Sequence, residues 1–159
     1  MVDNVEFSLT GLEELRTNLK QLSKDAEFKG ARFAGRKAAN LIAAAAIQNA
    51  KRIDDRETPE DISDNVAVRF SSSFFKRTGD IKFRIGILGG AKEDEADATN
   101  KGGATWYWRF KELGTSRSEA DPFLFPALSE NIDKATNEFS SQFSRWIDRR
   151  VKKLKKAQQ

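Results

Sequence analysis

Val5, Phe7 and Leu9 alternate with Glu6, Ser8 and Thr10 near the start of the chain, the period of a half-buried strand. Gly11 breaks that alternation. Leu12, Leu15, Leu19 and Leu22 then recur at helical spacing, which predicts a short amphipathic helix. A second helix is predicted from about Phe28 to Ile53, on a stripe of Ala34, Ala38, Leu41 and Ala45 with Ile42 and Ala46 beside it. Alanine joins the best helix propensity to a small side chain, so this helix can lie close against a partner surface.

A polar break at Asp54 to Glu57 follows. Thr58-Pro59-Glu60-Asp61 has the chemistry of a helix start, with a hydroxyl cap, a proline in the first turn and acids at the positive end. Val66, Val68 and Phe70 restore the alternation, and Ile81, Phe83, Ile85 and Ile87 set four apolar residues opposite Lys82 and Arg84. These two strands are predicted to pair antiparallel through Ser71 to Asp80. Residues 89–103 hold Glu93, Asp94, Glu95 and Asp97 among Gly89, Gly90, Gly102 and Gly103, with no large apolar side chain. Such a stretch cannot offset its ordering entropy by burial, so a mobile acidic loop is expected. It lacks the spaced ligands of a calcium loop.

From Ala104 to Leu113 two periods compete. Trp106, Trp108 and Phe110 alternate, while Trp106, Phe110 and Leu113 fall at helical spacing. Gly114 stops either one, and glycine after a helical run favours a short helix. Asp121-Pro122 marks a boundary, and Pro126 cannot lie deep in a helix. From about Phe125 a long helix is predicted toward Lys155, carrying Leu128, Ile132, Ala135, Phe139, Phe143, Trp146, Ile147, Val151 and Leu154 in register. About thirty such residues span about 45 Å, against about 30 Å for a small domain, so its end should project. That end carries Arg149, Arg150, Lys152, Lys153, Lys155 and Lys156, preceded by Arg145 and opposed by Asp148. The expected architecture is α+β: a small antiparallel sheet packed against the alanine-rich helix and the long C-terminal helix. Residues 1–148 would form one domain, and 149–159 a basic helical extension.

Composition narrows the chemistry. Hydrophobic residues make up 38% and charged residues 33%, enough for a modest core. There is no Cys and no His, which removes disulfides, thiolate metal sites, cysteine nucleophiles, the usual zinc ligand and the usual proton shuttle. No phosphate-binding loop or dinucleotide fingerprint is present. Asp54-Asp55 and Glu60-Asp61 could pair carboxylates, but in polar segments where neither acid acquires a raised pKa. No enzyme, cofactor or metal site is expected. Val2 to Glu6 lacks the basic start of a secretion signal, and Ala38 to Ile47 is too short to cross a bilayer, so no membrane partner is expected. A net charge of +4 points to an anionic partner.

Trp106, Tyr107, Trp108, Phe110, Phe123 and Phe125 crowd around Gly114-Thr115. They can be core, or they can anchor a neighbouring subunit.

This segment carries a resemblance. Tyr107-Trp108-Arg109-Phe110-Lys111-Glu112-Leu113-Gly114-Thr115, followed after a polar gap by Asp121-Pro122-Phe123-Leu124-Phe125-Pro126-Ala127-Leu128, resembles a signature of the head–tail joining or tail-completion proteins of long-tailed phages. These are similar in role to the lambda minor tail protein Z. Members carry an aromatic stretch ending in Glu-aromatic/aliphatic-Gly-Thr, then Pro-Phe-x-x-Pro-Ala-Leu and a C-terminal helix. Leu9 to Leu15 is similar to the family's Gly-Leu-x-x-Leu start. The chain departs from the family where a Thr-Gly-x-Leu turn is usual: Thr58 to Asp61, or Arg77 to Ile81, stands there.

The resemblance implies a virion protein, assembled in the host bacterial cytoplasm, that adds to the head-proximal end of a tail in a homo-oligomeric ring. Its partners would be the tail terminator, tail tube and head-closure proteins, with contact to packaged DNA left open. Gly114 and Thr115 would make a turn, Pro122 would fix the approach, and Pro126 would open the last helix. The basic arm would dock on an acidic surface of a neighbour, with DNA phosphate as the lesser alternative. Two other readings remain: a tail terminator ring protein, and a nucleic-acid-binding protein using the basic helix. The second lacks a recognised DNA-binding motif, and Trp146 falls on the apolar stripe.

Overall fold

A computed structural model of the chain describes residues 24–53, 61–88 and 105–157. The strand expected at Val5 to Leu9, the leucine helix after it, the start of the Thr58 turn and the acidic loop at 89–103 lie outside the described residues.

Helix α1 runs from Lys24 to Ile53 and closes on Lys51 and Arg52, cations that suit the negative helix end. Its alanine run lets two layers approach it from different sides. A Cβ added at Gly30 would sit 2.8 Å from Cδ2 of Trp146, and one at Gly35 would sit 2.7 Å from a ring carbon of Phe83. Five positions turn a helix by about 140° beyond one full circle, so these glycines face different neighbours. Ala34, Ala39, Ala43, Ala46 and Ala50 are buried. Of the predicted stripe, Ala34 and Ala46 belong to this set, while Ala38, Leu41, Ile42 and Ala45 are half-buried. A single-faced stripe does not describe a helix packed on two flanks.

On one flank lies a two-stranded antiparallel sheet of β1 (Val66–Phe70) and β2 (Phe83–Ile87). The register pairs Val66 with Ile87, Val68 with Ile85 and Phe70 with Phe83, and between them Arg69 with Arg84. Alternation thus separates an apolar face from a basic one. A 3-10 turn, Ser63–Asn65, leads into β1. Its entry is fixed by Asp61 Oδ1, which accepts from Ser63 N at 2.6 Å.

The connection between the strands contains a helix that the sequence reading did not predict, α2, Ser72–Thr78. It ends on Gly79 at φ 79°, whose N–H donates to the Phe75 carbonyl at 2.8 Å. That left-handed cap is glycine's usual place. Phe75 stacks on Phe28 of α1 with centroids 4.0 Å apart, and Phe70 lies 6.1 Å from each ring. Strand β2 begins at Phe83 rather than Ile81, because the return from Gly79 consumes the residues before it.

Helices α3 (Trp108–Leu113) and α4 (Leu124–Ser129) follow, then α5 (Ile132–Ala157), which packs along the other flank of α1. The long helix expected from Phe125 is therefore broken. Asn131 Nδ2 donates to the Ala127 carbonyl at 3.0 Å, ending α4, while the Asn131 carbonyl accepts from Ala135 N at 2.9 Å, starting α5. Pro126 opens α4, not the last helix. At 26 residues, α5 is about 39 Å long.

Ala135, Ile147 and Val151 are buried, and Phe143, Trp146 and Leu154 pack against the last two. Packing thus continues across the boundary expected after Asp148, and Val151 ties the basic segment down. The fold is α+β, with the sheet and the long C-terminal helix both seated on the alanine-rich helix.

Candidate functional site

The aromatic motif folds around one carboxylate. Helix α3 stops at Gly114, φ 73°, whose N–H donates to the Phe110 carbonyl at 2.9 Å. A Cβ there would meet the backbone of Ala120 at 2.9 Å and of Ser118 at 3.1 Å, so both conformation and space demand glycine. Thr115 then makes the turn. Its N–H donates to the Ser118 carbonyl at 2.8 Å, and its hydroxyl accepts from Arg117 N and Ser118 N at 3.2 and 3.1 Å. Asp121 N returns to the Lys111 carbonyl at 2.8 Å.

Glu112 now faces the start of α4. Its Oε2 accepts from Phe123 N and Leu124 N at 2.8 and 2.9 Å, and its Oε1 from Phe125 N at 2.8 Å. The first turn of any helix leaves N–H groups without intrahelical partners. Here Glu112 takes three, and Pro126, next in line, has none to leave. The carboxylate also lies at the positive helix end. Glu112, Gly114, Thr115 and Pro126 are thus one structural device, joining two halves of the motif across 11 to 13 residues.

The device sorts the aromatics. Phe123 is fully buried with Ala50 and Ile62, and half-buried Tyr107 and Trp108 pack against that cluster. Asn49 Nδ2 holds the Phe123 carbonyl at 3.2 Å. Trp106, Phe110 and Phe125 instead remain 40%, 50% and 69% exposed. Pro122, just before Phe123, is exposed too. Burial thus divides these aromatics residue by residue between core and surface.

Beside the motif opens an apolar groove of about 510 Å³, lined by Ala38 and Ile42 of α1, Phe83 and Ile85 of β2, and Phe125 and Leu128 of α4. Leu128 of that lining is 45% exposed, and Leu113 and Ile132, next to lining residues in sequence or one turn on, are 77% and 54% exposed. Sequence reasoning missed these three as surface residues. The sequence pattern sets Leu128 and Ile132 in register on the apolar stripe of one long helix, and the break at Asn131 takes them out of that register. The signal was available in Asn131 and Asp133, a cap residue followed by an acid in the first helical turn.

Arg149, Arg150, Lys152, Lys153 and Lys156 are exposed along α5 and lie apart from the motif; the side chain of Lys155 is outside the described residues. Trp146 sits against Gly30, near the beginning of α1, whereas Phe123 meets Asn49 near its end. Among the described residues no group of His, Cys, Asp or Glu could hold a metal ion. No described helix is long and apolar enough to cross a membrane. What the motif offers is an ordered apolar surface.

No curated protein and no solved structure matches the chain. The family described as "Bacteriophage HK97-gp10, putative tail-component" matches residues 13–114, a stretch that includes α1, the sheet, Glu112 and the glycine at which α3 stops. The chain belongs to the HK97-gp10-like family of phage tail components.

Proposed function

We propose that this tail component is a non-catalytic assembly subunit that completes the head-proximal end of the tail and joins it to the head, in the role of the lambda minor tail protein Z. The observation that carries the reading is the open apolar groove lined by the exposed Phe125 and Leu128, with Phe110, Leu113 and Ile132 exposed on the neighbouring segments of chain. Contiguous exposed apolar residues on a soluble domain mark protein contact sites, and aromatic anchors dominate the energetics of such contacts. Glu112 holds the backbone of Phe125 at the start of α4, so less ordering entropy is left for that anchor to lose on docking. The partners are copies of the same chain in a ring, the tail terminator, the tail tube and the head-closure protein, and the location is the neck of the virion.

Complementation of a phage lacking this gene tests the reading. Leu113→Ser with Phe125→Ser should preserve the melting curve of the purified protein yet leave filled heads and finished tails unjoined. Normal plaque numbers would remove this surface from assembly. Tails of abnormal length would instead assign the chain to tail-length termination.

A further inference from the structure

We infer that the end of the molecule at which α1 begins binds duplex DNA through its sugar–phosphate backbone. Two stretches far apart in sequence pack against the first turns of α1, on its two flanks. Phe28 stacked on Phe75 brings in α2 and the adjoining strand ends, and Trp146 against Gly30 brings in the second half of α5. They and α1 all contribute exposed cations. Lys29, Arg32 and Arg36 come from α1, and Arg69, Arg77, Lys82 and Arg84 from the sheet, α2 and the connection between α2 and β2. Arg145, Arg149, Arg150, Lys152 and Lys153 come from α5. Among the side chains described in these stretches the acids are Asp80 and Asp148.

The sheet side of this surface is built for an anion. Arg69 and Arg84 stand directly opposite one another, an arrangement in which like charges repel. Neither has a carboxylate partner among the described residues. Beside them a polar cleft of about 240 Å³ is lined by Ser71, Ser73, Phe74, Arg77, Lys82 and Arg84. The Phe74 ring orders two of its cations, with Lys82 Nζ 4.9 Å and Arg77 Cζ 5.7 Å from its centroid. Guanidinium, ammonium and hydroxyl donors together are the set that contacts phosphate oxygens. Lys82 immediately precedes β2 and Arg84 is its second residue; residues two apart in extended chain lie about 6.8 Å apart, comparable with successive phosphates of one DNA strand.

Two observations favour duplex DNA over an acidic protein. Protein interfaces depend on apolar anchors at their centre, and the exposed apolar residues are concentrated on α3, α4 and the start of α5. At the basic end the large exposed one is Phe33, with Lys37 Nζ 5.9 Å from its ring. Protein–DNA interfaces are more polar and more positively charged. Trp146 is half-buried with its ring against Gly30, and cations far outnumber exposed aromatics at this end, which favours backbone contacts to a duplex over stacking on the bases of a single strand. The basic segment of α5 therefore has phosphate, not an acidic neighbour, as its target.

Fluorescence anisotropy of the full-length chain with a labelled mixed-sequence duplex tests this. If about six phosphates are neutralised, affinity should fall roughly a thousandfold between about 50 and 200 mM salt. Lys82→Glu with Arg84→Glu, and separately Arg149→Glu with Arg150→Glu, should each weaken binding at least tenfold and flatten the salt dependence. Leu113→Ser should bind as the parent does. Circular dichroism confirms folding, and the corresponding glutamine pairs serve if a reversed pair unfolds, with a smaller loss expected. No binding at low salt, or loss from only one of the two pairs, overturns the composite surface. Polyglutamate competing as well as duplex at equal charge would point to an acidic protein instead, and tighter binding of single-stranded DNA would equally overturn the proposal.

Discussion

Asn65 Nδ2 donates to Thr105 Oγ1 at 2.9 Å, a buried bond between residues 40 positions apart. The Asn65 carbonyl also accepts from Leu88 N at 2.8 Å. The two residues that flank 89–104 are thus held at a single point, at the entrance to β1. That point fixes where the chain re-enters the fold before α3, and so where Tyr107 and Trp108 reach the Phe123 cluster.

Asn65→Ala should therefore lower stability by about 1–3 kcal/mol, since it strands a fully buried hydroxyl. Thr105→Val should cost less than the sum implies when the two are combined, because one bond is shared. Denaturant midpoints measure both; purely additive effects would show that the pair is not coupled.

Deleting Glu93 to Asp97 should shift the melting temperature only slightly. The deleted residues include no large apolar side chain, and shortening a connection changes its closure entropy by only a fraction of a kcal/mol. A drop of many degrees would mean that this acidic stretch is tied to the domain.

Gly30 and Gly35 are helical positions at which alanine ordinarily stabilises, by up to about 1 kcal/mol. Here the sign reverses at Gly30, because the new Cβ would overlap the Trp146 ring rather than the flexible end of a side chain. Gly30→Ala should destabilise by about 1–3 kcal/mol as an overpacked contact. Gly30→Ala combined with Trp146→Leu should recover part of the loss. Failure of the double variant to recover anything would place the strain elsewhere.

Periodicity made α1, β2 and the second half of the chain legible, because each repeats one chemical choice over many residues. What it could not show was anything carried by a single contact. Helix α2 has Phe74 and Phe75 side by side, one turned to Lys82 and the other to Phe28, and adjacent residues make no stripe. The break at Asn131 rests on one side-chain amide. Glu112 reads as one more surface acid until the chain returns to it, because hydrogen bonds across 11 to 13 residues follow no helical or strand period. The aromatic residues were recognisable as a group, but the division of Phe123 to the core and Phe125 to the surface depends on how that carboxylate sets the start of α4.

Glu112→Gln should accordingly destabilise the domain by about 1–3 kcal/mol. The amide keeps one acceptor oxygen and turns a donor toward N–H groups that the carboxylate had satisfied, and it loses the charge that strengthens such bonds. Thermal melts measure the loss. Glu112→Ala should be at least as severe, and should also reduce particle joining at permissive temperature, because the start of α4 presents Phe125. A Glu112→Gln melt matching the parent would show that water replaces the carboxylate at no cost.

Cutting the chain after Asp148 separates the two roles of the last turns of α5. Arg149, Arg150, Lys152, Lys153 and Lys156 are exposed there, but Val151 is 5% exposed and packs with Ile147, and Leu154 joins them. Removing a buried valine and a half-buried leucine should cost about 2–4 kcal/mol, so this truncation should lower the melting temperature by several degrees. Replacing Arg149, Arg150, Lys152 and Lys153 by glutamine should change stability by at most about 0.5 kcal/mol, as exposed substitutions usually do. The glutamine variant should still fold and lose most of its affinity for duplex DNA, while the truncated chain should lose stability and binding together. If the truncated chain melts with the parent, the burial of Val151 contributes nothing and a domain edge does fall after Asp148. If the glutamine variant binds DNA undiminished, the cations of α5 are solvated charge, and the phosphate contacts belong to the sheet alone.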